Sequence, residues 1–176
     1  MTADSPPSQP SFPQAMEIAA QWLGLWEAAE LSDEVLADRV AALVSSRDGA
    51  RGFFVVALAG DSPLLDRLPE PLVGQLRDAG EGVVDLTARN LAMATAMAVH
   101  HRRNGDGDQA GRSDRVRERS TELLRRLEPA LVKQRLETLL LAARDGQGSD
   151  QEFLARWGYD DEQRRAIAGS VLAVAE

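Results

Sequence analysis

The residues of this sequence that could take part in chemistry are concentrated between Gly49 and His101. The segment ends at the only two histidines of the chain. Imidazole nitrogens and carboxylate oxygens together bind metal ions that activate water for hydrolysis. The segment therefore suggests a metal-dependent hydrolase in which a histidine acts with nearby aspartates. The candidate set comprises three aspartates, two polar neighbours and both histidines: Asp61, Asp66, Asp85, Arg89, Asn90, His100 and His101.

The spacing of the two histidines argues against a metal site. Adjacent residues of a helix point about 100° apart, so only one imidazole can face a given centre. The sequence contains no His-Glu-x-x-His and no Glu-x-x-His, the spacings that place two ligands on one helix face. Alternatively, His100 and His101 complement the negative end of a helix dipole, as Arg102 and Arg103 also would. We favour this interpretation and assign no catalytic residue, no metal and no cofactor.

Two further motifs lack residues or a secondary structure element that they require. Asn104 to Gln109 resembles the start of a calcium loop, but Gln109 stands where glycine is required and Arg115 where glutamate is required. A relaxed dinucleotide fingerprint at 105–110 follows a predicted helix, whereas the motif requires a strand. The chain also has no Gly-x-Ser-x-Gly and no P-loop. Enzyme function is therefore unsupported, and we lean towards a protein that is not an enzyme.

Composition limits the class of protein. The 176 residues have the length of one ordinary domain, and the absence of cysteine excludes a disulfide framework, a thiolate metal site and a cysteine nucleophile. This composition fits the cytoplasm. A net charge of -8 disfavours nucleic-acid binding. The longest uncharged runs have half of the roughly 20 residues that a membrane helix needs, which predicts a soluble protein.

Hydrophobic spacing predicts an all-α fold, a single compact bundle of seven or eight helices. Residues 1–12 contain three of the eight prolines and little apolar surface, so we expect a disordered N-terminal tail before a helical domain at 13–176. Stripes at helical spacing occur at 36, 40, 43 and 44 and at 132, 136, 139, 140 and 143. The last helix is expected to bury Ile167, Val171 and Leu172, and the turn at 157–159 to pack its two aromatic residues on the core.

Capping chemistry predicts where these helices begin. Pro13 and Pro129 suit a first turn, and Asp160 with Gln163 forms a capping box. Four further starts are assigned to N-caps or first residues: Ser32, Asp48, Asp85 and Ser113. Asp150 is expected to cap a short helix. The glycines and carboxylates at 104–112 predict a flexible connection.

One segment allows a second interpretation of the fold. Residues 53–59 are seven consecutive apolar residues rich in Phe and Val, which fit a buried strand as well as a buried helix. Paired in parallel with residues 82–86, such a strand would form a βαβ unit at 53–86. A parallel pair needs further strands to be buried on both faces, and none is evident elsewhere. We therefore favour a helix.

Two stretches of the sequence carry a resemblance. The segments GARGFFVVALAGDSPLLDRLPEPLV and VVDLTARNLAMATAMAVHHRRNGD, at 49–73 and 83–106, resemble small uncharacterised conserved proteins of cyanobacteria. The resemblance extends over most of the chain beyond residue 14. It implies a soluble bacterial cytoplasmic protein and no particular activity, cofactor or site.

The function that the sequence favours is a non-enzymatic cytoplasmic interaction or regulatory protein, because amphipathic helices abound and catalytic constellations do not. The metal-dependent hydrolase remains the alternative. We expect the partner to be a protein rather than a nucleic acid or a membrane, and we leave homo-oligomerisation open.

Overall fold

The computed structural model describes residues 9–176, so most of the predicted tail lies outside the described residues. Within this range the chain forms nine α-helices, one short 3-10 helix and no strand. The all-α prediction is confirmed, with one or two helices more than expected, and the βαβ alternative has no support in this part of the chain. The helices are α1 (Phe12–Glu27), α2 (Asp33–Leu43), α3 (Arg47–Ala59), α4 (Glu70–Asp78), α5 (Glu81–Arg103), α6 (Gly107–Arg126), α7 (Pro129–Asp145), α8 (Asp150–Arg156) and α9 (Asp161–Val174), and the 3-10 helix is Leu64–Asp66.

The described residues group into two compact units, one ending at Val83 and the other beginning at Val84. The division falls inside α5. The first unit contains α1 to α4, and the second contains most of α5 together with α6 to α9. That residues 13–176 form a single helical domain stays a prediction.

In the first unit, α1 begins at a capping box one residue earlier than predicted. Ser11 Oγ accepts a hydrogen bond from the backbone N–H of Gln14 at 3.2 Å, and Gln14 Oε1 accepts one from the N–H of Ser11 at 2.9 Å. Phe12 is the first helical residue. These bonds satisfy two of the N–H groups that a helix start leaves without partners.

The apolar run at 53–59 lies in the helix α3, which is buried on much of its surface. Phe53 and Phe54 are fully buried, and their rings meet edge to face with centroids 5.0 Å apart. Ser46, and not the predicted Asp48, caps this helix by accepting from the N–H of Gly49 at 3.1 Å. Asp48 lies in the first turn, where a carboxylate still favours the positive end of the helix dipole.

The long helix α5 begins at Glu81, not after Asp85 as predicted. Gly80 has a φ of 75°, a left-handed conformation that glycine adopts readily, and it separates α4 from α5 without a loop. Asp85 is therefore inside the helix. Its carboxylate is available to side chains of other helices and does not cap the backbone.

The predicted flexible connection at 104–112 is wrong beyond Asp106. Asp106 caps α6 by accepting from the N–H of Gln109 at 3.1 Å, so α6 begins at Gly107 and not at Ser113. Ala110 in this first part of α6 is buried. The Asp106 cap and the burial of Ala110 both favour the helix, against the roughly 1 kcal/mol that each glycine costs in it.

The C-terminal helices agree better with their capping signals. Pro129 begins α7, and the Asp160–Gln163 capping box at α9 is present in both directions. Asp150 is the first residue of α8 instead of its cap, which is Ser149. Leu172 is 44% exposed and Trp157 is 55% exposed, so neither packs on the core as predicted, whereas Tyr159 is buried.

Candidate functional site

The second unit contains a pocket of about 320 Å³ lined by residues of α5, α6 and α9. Two of these helices contribute residues at the same spacing. On α5 and on α9 the lining residues stand at positions i, i+3, i+4 and i+7, which is one face of a helix. They are Thr95, Ala98, Val99 and Arg102 on α5, and Ala166, Gly169, Ser170 and Ala173 on α9. Small side chains leave the space between these two faces unfilled.

Gly169 marks the open space directly. A Cβ atom at this position would have no heavy atom outside its own helix within 4 Å. By contrast, a Cβ at Gly52 in the first unit would lie 2.5 Å from the Cβ of Ala15. An alanine methyl group at position 169 would therefore meet no neighbouring side chain or backbone atom of another helix.

Two buried hydroxyls form the polar part of the pocket lining that is hidden from water. Thr95 is 5% exposed and Ser170 is 9% exposed. Thr95 Oγ1 lies 2.7 Å from the carbonyl oxygen of Leu91 and 2.8 Å from Ser170 Oγ. A threonine hydroxyl has one proton, and a carbonyl can only accept. When Thr95 donates to Leu91, the proton between the two hydroxyls comes from Ser170, and Ser170 Oγ keeps its lone pairs for another donor.

Three charged side chains lie at the exposed end of the pocket. Arg102 donates to Asp114, and Arg117 Nε lies 3.6 Å from the other oxygen of the same carboxylate. The side chains of Arg102, Arg117 and Asp114 are 57%, 34% and 22% exposed. These three side chains form the charged rim, and because Arg117 Nη2 also lies 3.8 Å from Glu118, its two guanidinium groups are matched by two carboxylates. Exposed ion pairs are weak, typically about 0–1 kcal/mol, so Arg102 can exchange Asp114 for a ligand.

Side-chain contacts attach α9 to α5 beside the pocket. Gln163 Nε2 donates to the carbonyl oxygen of Ala96 at 3.1 Å in a buried position. Arg103 donates to both carboxylate oxygens of Asp160 at 2.5 and 3.0 Å, and to Glu162 at 2.7 Å. The hydrogen bonds from Arg103 lower the pKa of Asp160 to about 2. These bonds connect α9 to α5 on one side of the pocket.

A second polar cluster joins α5, α7 and α8. Arg135 donates to the buried carboxylate of Asp150 at 2.5 and 2.9 Å, and its Nε donates to Asp85 at 2.8 Å. Arg89 lies 3.2 Å from Asp85 and its guanidinium is 5.2 Å from the centre of the Phe153 ring. Burial alone would lower the pKa of Arg135, but the hydrogen bonds to Asp150 and Asp85 outweigh it and raise that pKa. Two arginines and two aspartates pair with one another, so the charges of this cluster balance within it.

The structure brings only some of the predicted site residues together. Asp85 and Arg89 meet in the Arg135 cluster, and Asn90 donates to the carbonyl oxygen of Leu86 within α5 at 3.0 Å. His100 is fifteen residues from Asp85 on the same helix, or about 22 Å at 1.5 Å per residue. Asp61 and Asp66 belong to the first unit, where both are exposed.

The histidine pair lies in the last turn of α5. His100 Nε2 is 3.2 Å from Asn104 Nδ2, and the two imidazole rings are 5.4 Å apart at an angle of 65°. Across residues 9–176, no group of three or more histidine, cysteine, aspartate or glutamate side chains is placed to hold a metal ion. The hydrolase alternative therefore has no support in the described residues.

The pocket residues escaped the sequence interpretation because none of them forms a local motif. The repeated i, i+3, i+4, i+7 spacing of small and hydroxyl residues on α5 and α9 is the one signal that could have found them. It becomes informative only when the two helices are known to face each other. Arg102 was assigned to the helix dipole, and its position at the pocket was missed.

Within the described range, no helix combines the length and the apolar character needed to cross a membrane. Comparison with the curated proteins finds no match, and comparison with solved structures finds none either. One family profile does match, over residues 11–174, and it covers both units. The cyanobacterial origin suggested by the resemblance stays a prediction. Since the match spans more than half of the sequence, the chain belongs to the family described as uncharacterised conserved protein UCP020893.

Proposed function

We propose that this chain is a non-enzymatic regulatory protein that binds a small ligand in the pocket of its second unit. The observation that carries the proposal is the pocket itself: a space of about 320 Å³ with a buried hydroxyl pair and a charged rim. Small-molecule sites combine a mostly apolar, concave surface with a few well-placed polar groups, and they begin at about 300 Å³. Thr95, Ser170 and the rim supply those groups.

The chemistry of the lining favours binding over catalysis. A serine acts as a nucleophile when a base within hydrogen-bond reach removes its proton. Ser170 Oγ is hydrogen-bonded to Thr95 Oγ1, a hydroxyl that is itself a weak base. Asp114, the carboxylate of the lining, is held by Arg102 and Arg117. These residues can orient a ligand by hydrogen bonds and charge.

We propose that this regulatory protein acts on a partner that is itself a protein. We also propose that it is located in the cytoplasm. The net charge of -8 repels nucleic-acid backbones, and the absence of cysteine fits a reducing compartment. Hydrogen bonds from Gln163 and Arg103 connect α9 to α5 beside the pocket, so a ligand in the pocket contacts two helices that are already joined. A compound that bridges the two helices would stabilise the second unit.

Thermal unfolding with a panel of small polar metabolites tests the proposal. A ligand that binds only the folded state raises Tm, and the rise grows with its concentration. The blocking variant is Gly169→Leu, which adds an isobutyl group at a residue that lines the pocket. The control variant is Gly74→Leu, because Gly74 is also an exposed helical glycine with open space at its Cβ position, and it lies in the first unit.

We expect at least one compound to raise Tm of the native chain and of Gly74→Leu, and to leave Gly169→Leu unchanged. An equal rise in all three proteins would place the ligand elsewhere and contradict the proposal. The same conclusion would follow if no compound of the panel raised Tm of the native chain. Replacing glycine inside a helix also removes its backbone entropy cost, so neither variant should fail to fold.

A further inference from the structure

The two ends of the pocket differ in the ligand group that they can bind. At the charged rim, Arg102 and Arg117 lie against Asp114, and Arg117 Nη2 also lies 3.8 Å from Glu118. A guanidinium group pairs with a planar carboxylate through two parallel hydrogen bonds. Asp114 and Glu118 already match the two guanidinium charges, so they would repel a doubly charged phosphate more strongly than a singly charged carboxylate. The rim therefore favours a monocarboxylate.

The buried end favours a ligand group that donates a hydrogen bond. Thr95 Oγ1 lies 2.7 Å from the carbonyl oxygen of Leu91 and 2.8 Å from Ser170 Oγ. With the single proton of Thr95 on its bond to Leu91, Ser170 supplies the proton between the two hydroxyls, and the capacity left at this end is that of an acceptor, largest at Ser170 Oγ. A ligand hydroxyl supplies the matching proton. An ammonium group would donate as well, but a buried positive charge needs a charged partner to offset its lost hydration, and both hydroxyls are neutral.

The space between the two ends suits a short alkyl chain. Its walls carry the methyl groups of Ala98, Ala166 and Ala173 and the side chain of Val99. A volume of about 320 Å³ equals about ten water molecules at the roughly 30 Å³ that each takes in the liquid. The pocket is thus large enough for a compound of a few carbons with a polar group at each end.

We infer that the ligand is a short hydroxycarboxylate with its hydroxyl at the far end of the chain from the carboxylate. The carboxylate lies against Arg102 and Arg117, and the terminal hydroxyl donates to Ser170 Oγ. This inference rests on the proposed function and adds the chemical class and the orientation of the ligand. An α-amino or α-hydroxy acid does not satisfy it, because both of its polar groups stand at the same end.

Calorimetric titration of the full chain tests the inference with a series of probes. The probes are hydroxybutanoate, hydroxypentanoate and hydroxyhexanoate with terminal hydroxyls, the unsubstituted alkanoate of each length, and the amide of each hydroxy acid. We expect the best hydroxy acid to bind roughly three- to tenfold tighter than its alkanoate, the usual gain from one neutral hydrogen bond. The amide should bind roughly tenfold to a hundredfold weaker, because charged hydrogen bonds are stronger.

Variants assign each preference to a residue. In Ser170→Ala the preference for the hydroxy acid over the alkanoate should fall to about one, while the preference for acid over amide stays. In Arg102→Gln the preference for acid over amide should fall, while the hydroxyl preference stays. Arg112→Gln is the matched control, because Arg112 is an exposed arginine of α6 that does not line the pocket. It should bind every probe like the native chain.

Equal affinity of the native chain for the hydroxy acids and the alkanoates would overturn the inference without any variant. So would a hydroxyl preference that survives in Ser170→Ala. If no hydroxy acid binds, but another compound protects the native chain and not Gly169→Leu, the ligand class is wrong and the proposed function stands. If no compound protects the native chain, both fail. Circular dichroism of each variant confirms that a lost preference does not reflect unfolding.

Discussion

Arg135 on α7 forms a two-bond salt bridge with Asp150 at the start of α8, with Nη1–Oδ2 and Nη2–Oδ1 distances of 2.5 and 2.9 Å. The side chains of Arg135 and Asp150 are 15% and 5% exposed. Arg135 Nε also donates to Asp85 on α5. One guanidinium group therefore joins three helices of the second unit, and its two carboxylate partners lie 65 residues apart in the sequence.

Removing the arginine should destabilise the second unit strongly. In Arg135→Met, the carboxylate of Asp150 stays buried without its partner, and breaking a buried ion pair in this way costs about 3–5 kcal/mol. Urea unfolding followed by circular dichroism measures the loss. The control is Asp48→Asn, which removes the exposed Asp48–Arg51 pair and should cost about 1 kcal/mol or less.

The double variant Arg135→Met with Asp150→Leu separates the cost of an unpaired charge from the value of the pair. Replacing both buried partners with apolar residues is often close to neutral. We therefore expect the double variant to be more stable than Arg135→Met alone. A double variant that is no more stable than the single one would show that the salt bridge itself supplies the stability.

The close contact between α1 and α3 predicts opposite effects for two glycine substitutions in the first unit. A Cβ at Gly52 would lie 2.5 Å from Ala15 Cβ and 2.9 Å from the backbone nitrogen of Met16. Gly52→Ala should therefore force the helices apart and cost about 1–3 kcal/mol. Gly74→Ala should stabilise by about 0.5–1 kcal/mol, since the Cβ at Gly74 meets nothing within 4 Å.

Thermal unfolding of the two variants beside the native chain measures both effects. The substitution is the same in each, and both glycines are helical, so the difference reports the space around the Cβ atom. Equal Tm changes for Gly52→Ala and Gly74→Ala would contradict the helix contact described here.

Local signals in the sequence predicted those parts of the fold that local chemistry decides. The Ser32 cap and the Asp160–Gln163 capping box were both correct, because each rests on side chains that bond to backbone N–H groups two or three residues away. The all-α fold followed from hydrophobic stripes, which require only that one face of each helix be covered.

The incorrect predictions concern features that depend on contacts between residues far apart in the sequence. Asp85 and Asp150 were assigned as caps, but each instead pairs with Arg135. Spacing along the chain does not show that three helices place these charges together. The pocket was missed for the same reason: Thr95 and Ser170 lie 75 positions apart, and each looks like an ordinary helical residue until α5 faces α9.

The Arg103–Asp160 contact predicts an acid-dependent contribution to stability. The hydrogen bonds from Arg103 lower the pKa of Asp160 from 3.8 to about 2. A carboxyl group with a lowered pKa in the folded state binds protons more readily when unfolded, so acid favours unfolding. The stabilisation is complete above about pH 5 and is lost as the pH falls through 3.8 to about 2. Above about pH 5, the Asp160 contribution does not vary with pH.

Carboxyl NMR titration of the native chain and of Arg103→Gln checks this expectation. In the native chain the carboxyl of Asp160 should titrate near pH 2, and in Arg103→Gln its pKa should move up towards 3.8. The N–H of Gln163 still donates to Asp160 in the variant, so the return should be incomplete. The difference in unfolding free energy between the two proteins should shrink as the pH falls from 4 to 2. A pKa of Asp160 that is the same in both proteins would show that Arg103 does not hold this carboxylate in solution.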